Sequence, residues 1–149
     1  MAVAAVAAVV IAVTPASAAG STFLIVNQGS GNGCLDLTSY DYGTAVLARC
    51  DGNVRSQYWY LTNIGQIANG GGNNVCLSLE SASYENGTKA IVTPCDGRQS
   101  QIWDIERTGT IRNVHSINGC IQFAGYTNRT PATLTRCALG DNHQQWRLS

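Results

Sequence analysis

Short apolar runs separated by Gly, Asn and Ser turns mark this chain, and the same order of runs appears three times. Residues 22–26 (Thr-Phe-Leu-Ile-Val) are rich in β-branched and aromatic side chains, which predicts a strand. Asn27 to Gly33 is a turn, and Cys34-Leu-Asp-Leu37 alternates inward and outward as a half-buried strand does. A loop from Thr38 to Thr44 follows, then a strand at Ala45–Ala48, a polar turn at Asp51–Ser56 and a fourth strand at Gln57–Leu61. The second unit predicts strands at Gln66–Ala68, Val75–Leu79, Ala90–Thr93 and Gln101–Ile105. The third predicts them at Thr110–Arg112, Gly119–Phe123, Ala132–Thr135 and Gln144–Leu148. No stretch has sustained helical periodicity.

Aligned on their first cysteines, Cys34, Cys76 and Cys120, the units agree position by position. Ile25, Ile67 and Ile111 stand nine residues before the cysteine, and Asn27, Asn69 and Asn113 seven before it. Leu35, Leu77 and Ile121 follow it directly. Each second cysteine (Cys50, Cys95, Cys137) precedes a Gln-x-Trp tripeptide: Gln57-Tyr58-Trp59, Gln101-Ile102-Trp103 and Gln144-Gln145-Trp146. All three Trp of the chain are used in this way. Self-similarity at such a period defines the architecture before any single element does. Four strands in each of three lobes (about 22–62, 63–107 and 108–149) make twelve. Half-buried sheets of this size cannot bury their apolar faces alone, so they must share one core, and closing into a barrel also removes exposed edges. The repeated Ile, Leu and Trp, and the apolar residue two after each Trp (Leu61, Ile105, Leu148), are expected to be the layers of that core.

Composition narrows the function classes. Formal net charge is zero over 149 residues and charged residues are 12%. A nucleic-acid surface needs a basic patch, so neither a nucleic-acid partner nor membrane docking or insertion is expected. Residues 1–18 form an apolar run ending in Ala16-Ser17-Ala18, which reads as a signal peptide cleaved after Ala18. It is too short to span a bilayer, which takes about 20 helical residues. The mature chain, 19–149, is then one secreted, extracellular domain and is expected to be a monomer. In an oxidising compartment six Cys imply three disulfides. Six allow 15 pairings, but the repeat selects one within each lobe: Cys34–Cys50, Cys76–Cys95 and Cys120–Cys137. A metal site would need clustered Cys or His, and the two His stand apart at 115 and 143; no metal or cofactor is expected.

The triple Cys-Leu-Asp-Leu…Cys…Gln-x-Trp pattern resembles the ricin B-type lectin family, a β-trefoil module also attached to many secreted bacterial glycosidases. The resemblance spans the mature chain from about Thr22 to Ser149. It implies an all-β fold of pseudo-threefold symmetry with carbohydrate-binding lobes. The family's site pattern is an Asp two residues after the first cysteine, an aromatic two before the second, and an Asn before the Gln of Gln-x-Trp. In the first lobe these positions hold Asp36, Ala48 and Ser56, followed by Gln57. In the second they hold Ser78, Thr93 and Ser100, and in the third Gln122, Thr135 and His143. No lobe keeps the stacking ring, and only the first keeps the Asp.

Every lobe instead carries Tyr between its second and third strands: Tyr40 and Tyr42, Tyr84, and Tyr126. A sugar offers hydroxyls to carboxylates and amides and a C–H face to a flat ring. Asp36, Tyr40, Tyr42, Ser56 and Gln57 are therefore the candidate carbohydrate-binding residues, with packing over the barrel rim as the other reading of the tyrosines. Hydrolysis would require two facing carboxylates, and no nucleophile motif is present, so no catalytic residue and no enzyme activity are expected. The function expected is non-covalent recognition of neutral sugar or polysaccharide, mainly by the first lobe. The alternative is a protein-interaction domain, an inhibitor or toxin-targeting subunit whose sugar sites are lost.

Overall fold

The computed structural model describes residues 21–149; the predicted leader, residues 1–18, lies outside the described residues. Twelve strands form, four per lobe. The first lobe has β1 (Phe23–Asn27), β2 (Gly33–Leu37), β3 (Ala45–Arg49) and β4 (Tyr58–Leu61). The second has β5 (Ile67–Asn69), β6 (Val75–Leu79), β7 (Ala90–Pro94) and β8 (Trp103–Ile105). The third has β9 (Ile111–Asn113), β10 (Gly119–Phe123), β11 (Ala132–Arg136) and β12 (Trp146–Leu148).

The first and last strands of each lobe build a barrel. β1 pairs with β12 and with β4, β4 with β5, and β8 with β9, all antiparallel. The Trp103 and Trp146 amides donate to the carbonyls of Gly65 (2.9 Å) and Gly109 (2.8 Å), which closes the ring where no ladder runs. The middle strands form three hairpins, β2–β3, β6–β7 and β10–β11, in one register: Cys34 faces Ala48, Cys76 faces Thr93 and Cys120 faces Thr135. They cap one end of the barrel. The amides of Leu47, Val92 and Leu134 each donate to a loop carbonyl of the preceding lobe (Thr130, Gly43 and Thr88, 2.8–2.9 Å), so the cap is itself a closed threefold ring.

The repeated apolar positions make the core. Ile25, Ile67 and Ile111 are fully buried, as are Leu35, Leu77 and Ile121, and Ala45, Ala90 and Ala132. Trp59, Trp103 and Trp146 are buried, and each indole N–H donates to the carbonyl of the residue after the first cysteine of its lobe (Leu35, Leu77 and Ile121) at 2.9–3.1 Å. One expectation needs correction. Leu61 and Leu148 are each 43% exposed and Ile105 is only partly buried. They end the barrel strands at its open mouth, where no hairpin covers them. The three disulfides pair within lobes as expected, with Cα separations of 4.9–5.0 Å. Each closes a loop of 16 to 19 residues, worth about 3 kcal/mol in the chain-entropy model. No helix among the described residues is long and apolar enough to cross a membrane.

Candidate functional site

The Gln of each Gln-x-Trp opens no strand. Gln57, Gln101 and Gln144 end short 3₁₀ turns (Arg55–Gln57, Gln99–Gln101, Asn142–Gln144) that the sequence reading did not separate from the strands that follow. Each buried amide spans the second cysteine of its lobe. Its Nε2 donates to the carbonyl before the cysteine (Arg49, Pro94, Arg136; 2.8–2.9 Å), and its Oε1 accepts the amide after it (Asp51, Asp96, Ala138; 2.9–3.1 Å). The side chain thus replaces a strand partner for backbone that would otherwise be unpaired.

The repeated Asn has a second structural task. Asn27, Asn69 and Asn113 accept turn amides through Oδ1. Their Nδ2 groups donate to His143, Ser56 and Ser100, in each case the residue before the Gln in the preceding lobe (3.0, 2.7 and 3.3 Å). This chain of contacts holds each site position against the next lobe.

The structure brings Asp36, Ser56 and Gln57 together. Asp36 Oδ1 accepts the Ser56 hydroxyl and the Leu37 amide (2.7 Å), and its Oδ2 accepts Gln57 Nε2 (3.1 Å). Asp36 and Ser56 are half-buried. A carboxylate has about four lone-pair positions, so one remains on Oδ2 for a ligand hydroxyl. Ala48, on the same face of the hairpin, leaves room where a stacking ring could have stood.

Tyr40 and Tyr42 stand elsewhere. They line an open groove towards the second lobe, with Asn73, Val75 and Pro94. Tyr40 is half-buried and packs on the core, with its hydroxyl over Gly71, where any Cβ would collide with it. Tyr42 is 62% exposed. Tyr126 takes the equivalent pose over Gly29 and stacks flat on His143 (centroids 4.8 Å, 9°). The pairing of Tyr with the glycine five before the next lobe's first cysteine was legible in principle. Gly29 and Gly71 hold that position and His115 replaces it in the third lobe.

The second lobe's position is sealed. Ser78, Thr93, Ser100 and Gln101 are each at most 4% exposed. Ser78 and Ser100 share a hydrogen bond (3.0 Å), Gln101 Nε2 donates to Thr93 Oγ1 (2.7 Å), and Gln66 Nε2 donates to Gln101 Oε1 (2.9 Å). In the third lobe Asp141 accepts both the His143 amide (3.0 Å) and its Nδ1 (2.9 Å). These bonds, the backbone one first, hold the Asp141 carboxyl below its usual range, while partial burial pushes the Tyr126 phenol up.

The model of the ricin-type β-trefoil lectin domain matches residues 21–146. The chain belongs to that family. Solved structures agree on the lectin fold. A designed threefold-symmetric protein, ThreeFoil, is 21% identical with a TM-score of 0.75, over 85% of this chain and 96% of that one. A non-toxic homologue of type II RIPs from Momordica charantia (bitter gourd), solved with α-methyl-D-galactoside, is 25% identical with a TM-score of 0.71, over 86% of this chain and 47% of that one. The ricin B-like lectin of Macrolepiota procera, solved with lactose, is 18% identical with a TM-score of 0.70, over 87% and 95%. This lectin-family chain thus spans about half the length of the bitter gourd chain. No curated protein sequence matches it.

Proposed function

We propose that this protein is a secreted lectin that binds neutral sugars or polysaccharide non-covalently, chiefly through its first lobe. The observation that carries the reading is the state of Asp36. Its carboxylate is oriented by three donors, while the residue as a whole is only half-buried. An oriented acceptor loses little freedom on binding a hydroxyl, which is where shallow sites gain affinity. The adjoining Ser56 hydroxyl and Gln57 amide supply further polar contacts. Lectin relatives solved with α-methyl-D-galactoside and lactose support the ligand class, and three disulfides support an oxidising, extracellular setting. Binding leaves the sugar chemically unchanged.

The test is retention of the full chain on immobilised neutral polysaccharides and a glycan array, with elution by free sugar. Asp36→Ala should lose retention while keeping its fold. Full retention by that variant would remove the first lobe from the reading, and a chain that captures no glycan would overturn it.

Ile117 (100% exposed) and Leu139 (84%) flank the Cys120–Cys137 loop and favour a second reading, in which the third lobe docks on a protein partner. A pull-down that recovers one protein regardless of added sugar is the result expected from that reading.

A further inference from the structure

The three boundaries between lobes are not alike. At each, the loop between the middle strands of one lobe leans towards the cap of the next. Between the third and first lobes, Tyr126 leans on Gly29, but one face of its ring is covered by His143. Asn128, eight residues after its first cysteine, occupies the position that Tyr42 holds in the first lobe. Between the second and third lobes, Tyr84 packs partly buried against the core, and His115 stands where the glycine would be. The boundary between the third and first lobes does hold an open groove of about 500 Å³, lined by Tyr126, Asn128, Ala48 and Arg49 with no carboxylate. Between the first and second lobes a groove of about 480 Å³ is lined instead by a largely exposed ring, Tyr42, and by an acidic residue, Asp41.

The groove is built for hydroxyl groups. Its floor is Val75 and Pro94, and Tyr40 forms one wall. Asp41 donates its backbone amide to Ser39 Oγ (3.1 Å), while its carboxylate meets no donor among the described residues. That is the reverse of Asp36, most of whose acceptor capacity is already used. Asn73 adds a side-chain amide, a donor and an acceptor in one, that meets no partner among the described residues. Tyr42 and Asn73 both hold left-handed backbone, at φ 51° and 66°. For residues with a Cβ that conformation is uncommon and costs energy, and it concentrates at ligand-binding positions. A ring, a free carboxylate and an amide around a small apolar floor match the C–H face and paired hydroxyls of a pyranose. The single acidic charge lining the groove disfavours an anionic ligand.

We propose that this inter-lobe groove, lined by Tyr40, Asp41, Tyr42, Asn73, Val75 and Pro94, is a second subsite for a neutral pyranose unit, separate from the position at Asp36. The inference rests on the carbohydrate-binding reading above. It gives one chain two contacts on a polymer, so long polysaccharides bind more tightly than single sugars.

The test is amide chemical-shift mapping of the full chain with soluble xylan, galactan, mannan and β-glucan fragments, together with affinity measurements on Tyr42→Gly and Asp41→Asn. Tyr42→Gly removes the ring while suiting the positive φ, so it should fold. The expected result is perturbation of residues 41–43 and 73–74. That perturbation should vanish in Tyr42→Gly, with affinity for the polymer falling about tenfold, the worth of one aromatic contact. Tyr42→Phe should keep most of the binding. Perturbation confined to Asp36, Ser56 and Gln57, with unchanged affinity in Tyr42→Gly, would overturn the groove and leave the first-lobe site standing. Absence of perturbation with every fragment would overturn both.

Discussion

The first and second lobes have the same hairpin register, each has its own internal disulfide, and they share one core, yet they treat the same site position in opposite ways. In the first, Asp36 sits half-buried, oriented by Ser56 and Gln57. In the second, Ser78, Thr93, Ser100 and Gln101 are buried and satisfy one another. Burying polar groups is tolerable only when they are paired, and two short hydroxyls with a threonine do this without a charge. The difference teaches that a lobe of this fold can lose its recognition position and gain a structural network without any change in its frame. Losing the carboxylate is what permits closure, because a carboxylate in so dry a place would demand compensation that no cation there supplies.

The largest effects should be those the two lobes share. Trp59→Ala and Trp103→Ala should each cost about 3–5 kcal/mol in urea unfolding, the usual range for emptying a buried aromatic position. Costs differing by more than about 2 kcal/mol would show that the lobes are not equivalent in the core. Next come the glutamines. Gln101→Ala leaves the buried Gln66 and Thr93 side chains without this partner and also frees three backbone groups, of Pro94, Asp96 and Gly97, so it should cost about 2–3 kcal/mol, whereas Gln57→Ala, beside half-exposed partners, should cost about 1 kcal/mol. Equal costs would erase the contrast between a sealed and an open lobe. Ser78→Asp should destabilise by about 1–3 kcal/mol and gain no glycan binding, since Gln101 Nε2 is already committed to Thr93 and Pro94. Capture of sugar by that variant would show that the carboxylate alone decides activity.

The smallest expected effect concerns the open end of the barrel. At the turn joining the first and second lobes, Thr62 and Gln66 form a neutral network. The equivalent turn ahead of the third lobe has Glu106 accepting the Thr110 hydroxyl and Arg112 Nε (2.9 Å). These two donors, the hydroxyl first, hold the Glu106 carboxyl below its usual range. A group whose folded pKa is depressed contributes fully above its unfolded pKa and loses that contribution as pH falls through the folded one. The melting temperature should therefore decline modestly as pH drops from about 5 towards about 3, and less so in Glu106→Gln. An identical acid profile for that variant would place the acid sensitivity elsewhere, with the exposed Asp96–Arg98 pair or Asp141 as the remaining depressed carboxylates.

Much of the fold was legible because a repeat constrains itself. The alternation around Cys34, Cys76 and Cys120 gave the hairpins, and the Gln-x-Trp tripeptides gave the lobe ends. Ser56 and Gln57 come within hydrogen-bond reach of Asp36 because the three belong to adjoining elements of one lobe. Tyr40 and Tyr42 were expected beside Asp36, and the structure places them in a groove facing the second lobe. Leu61 and Leu148 looked like core residues because their spacing repeats, but spacing records which face a side chain takes and not whether anything covers it.

Sequence alone settled what happens inside a lobe: twelve strands, the cysteine pairs, and the Ile, Leu and Trp that line the axis. Those features follow from local propensity and from period-two burial, which a linear pattern records. Tertiary structure alone decided what happens between lobes: Asn27, Asn69 and Asn113 reaching back to the preceding turn, tyrosines resting on Gly71 and Gly29, and the grooves left open at two boundaries, of which one gathers Tyr42, Asp41 and Asn73. Contacts across a boundary depend on how the lobes are turned about their shared axis, and three near-copies of one motif do not encode that rotation locally. It is fixed only when the three hairpins close on one another over the core.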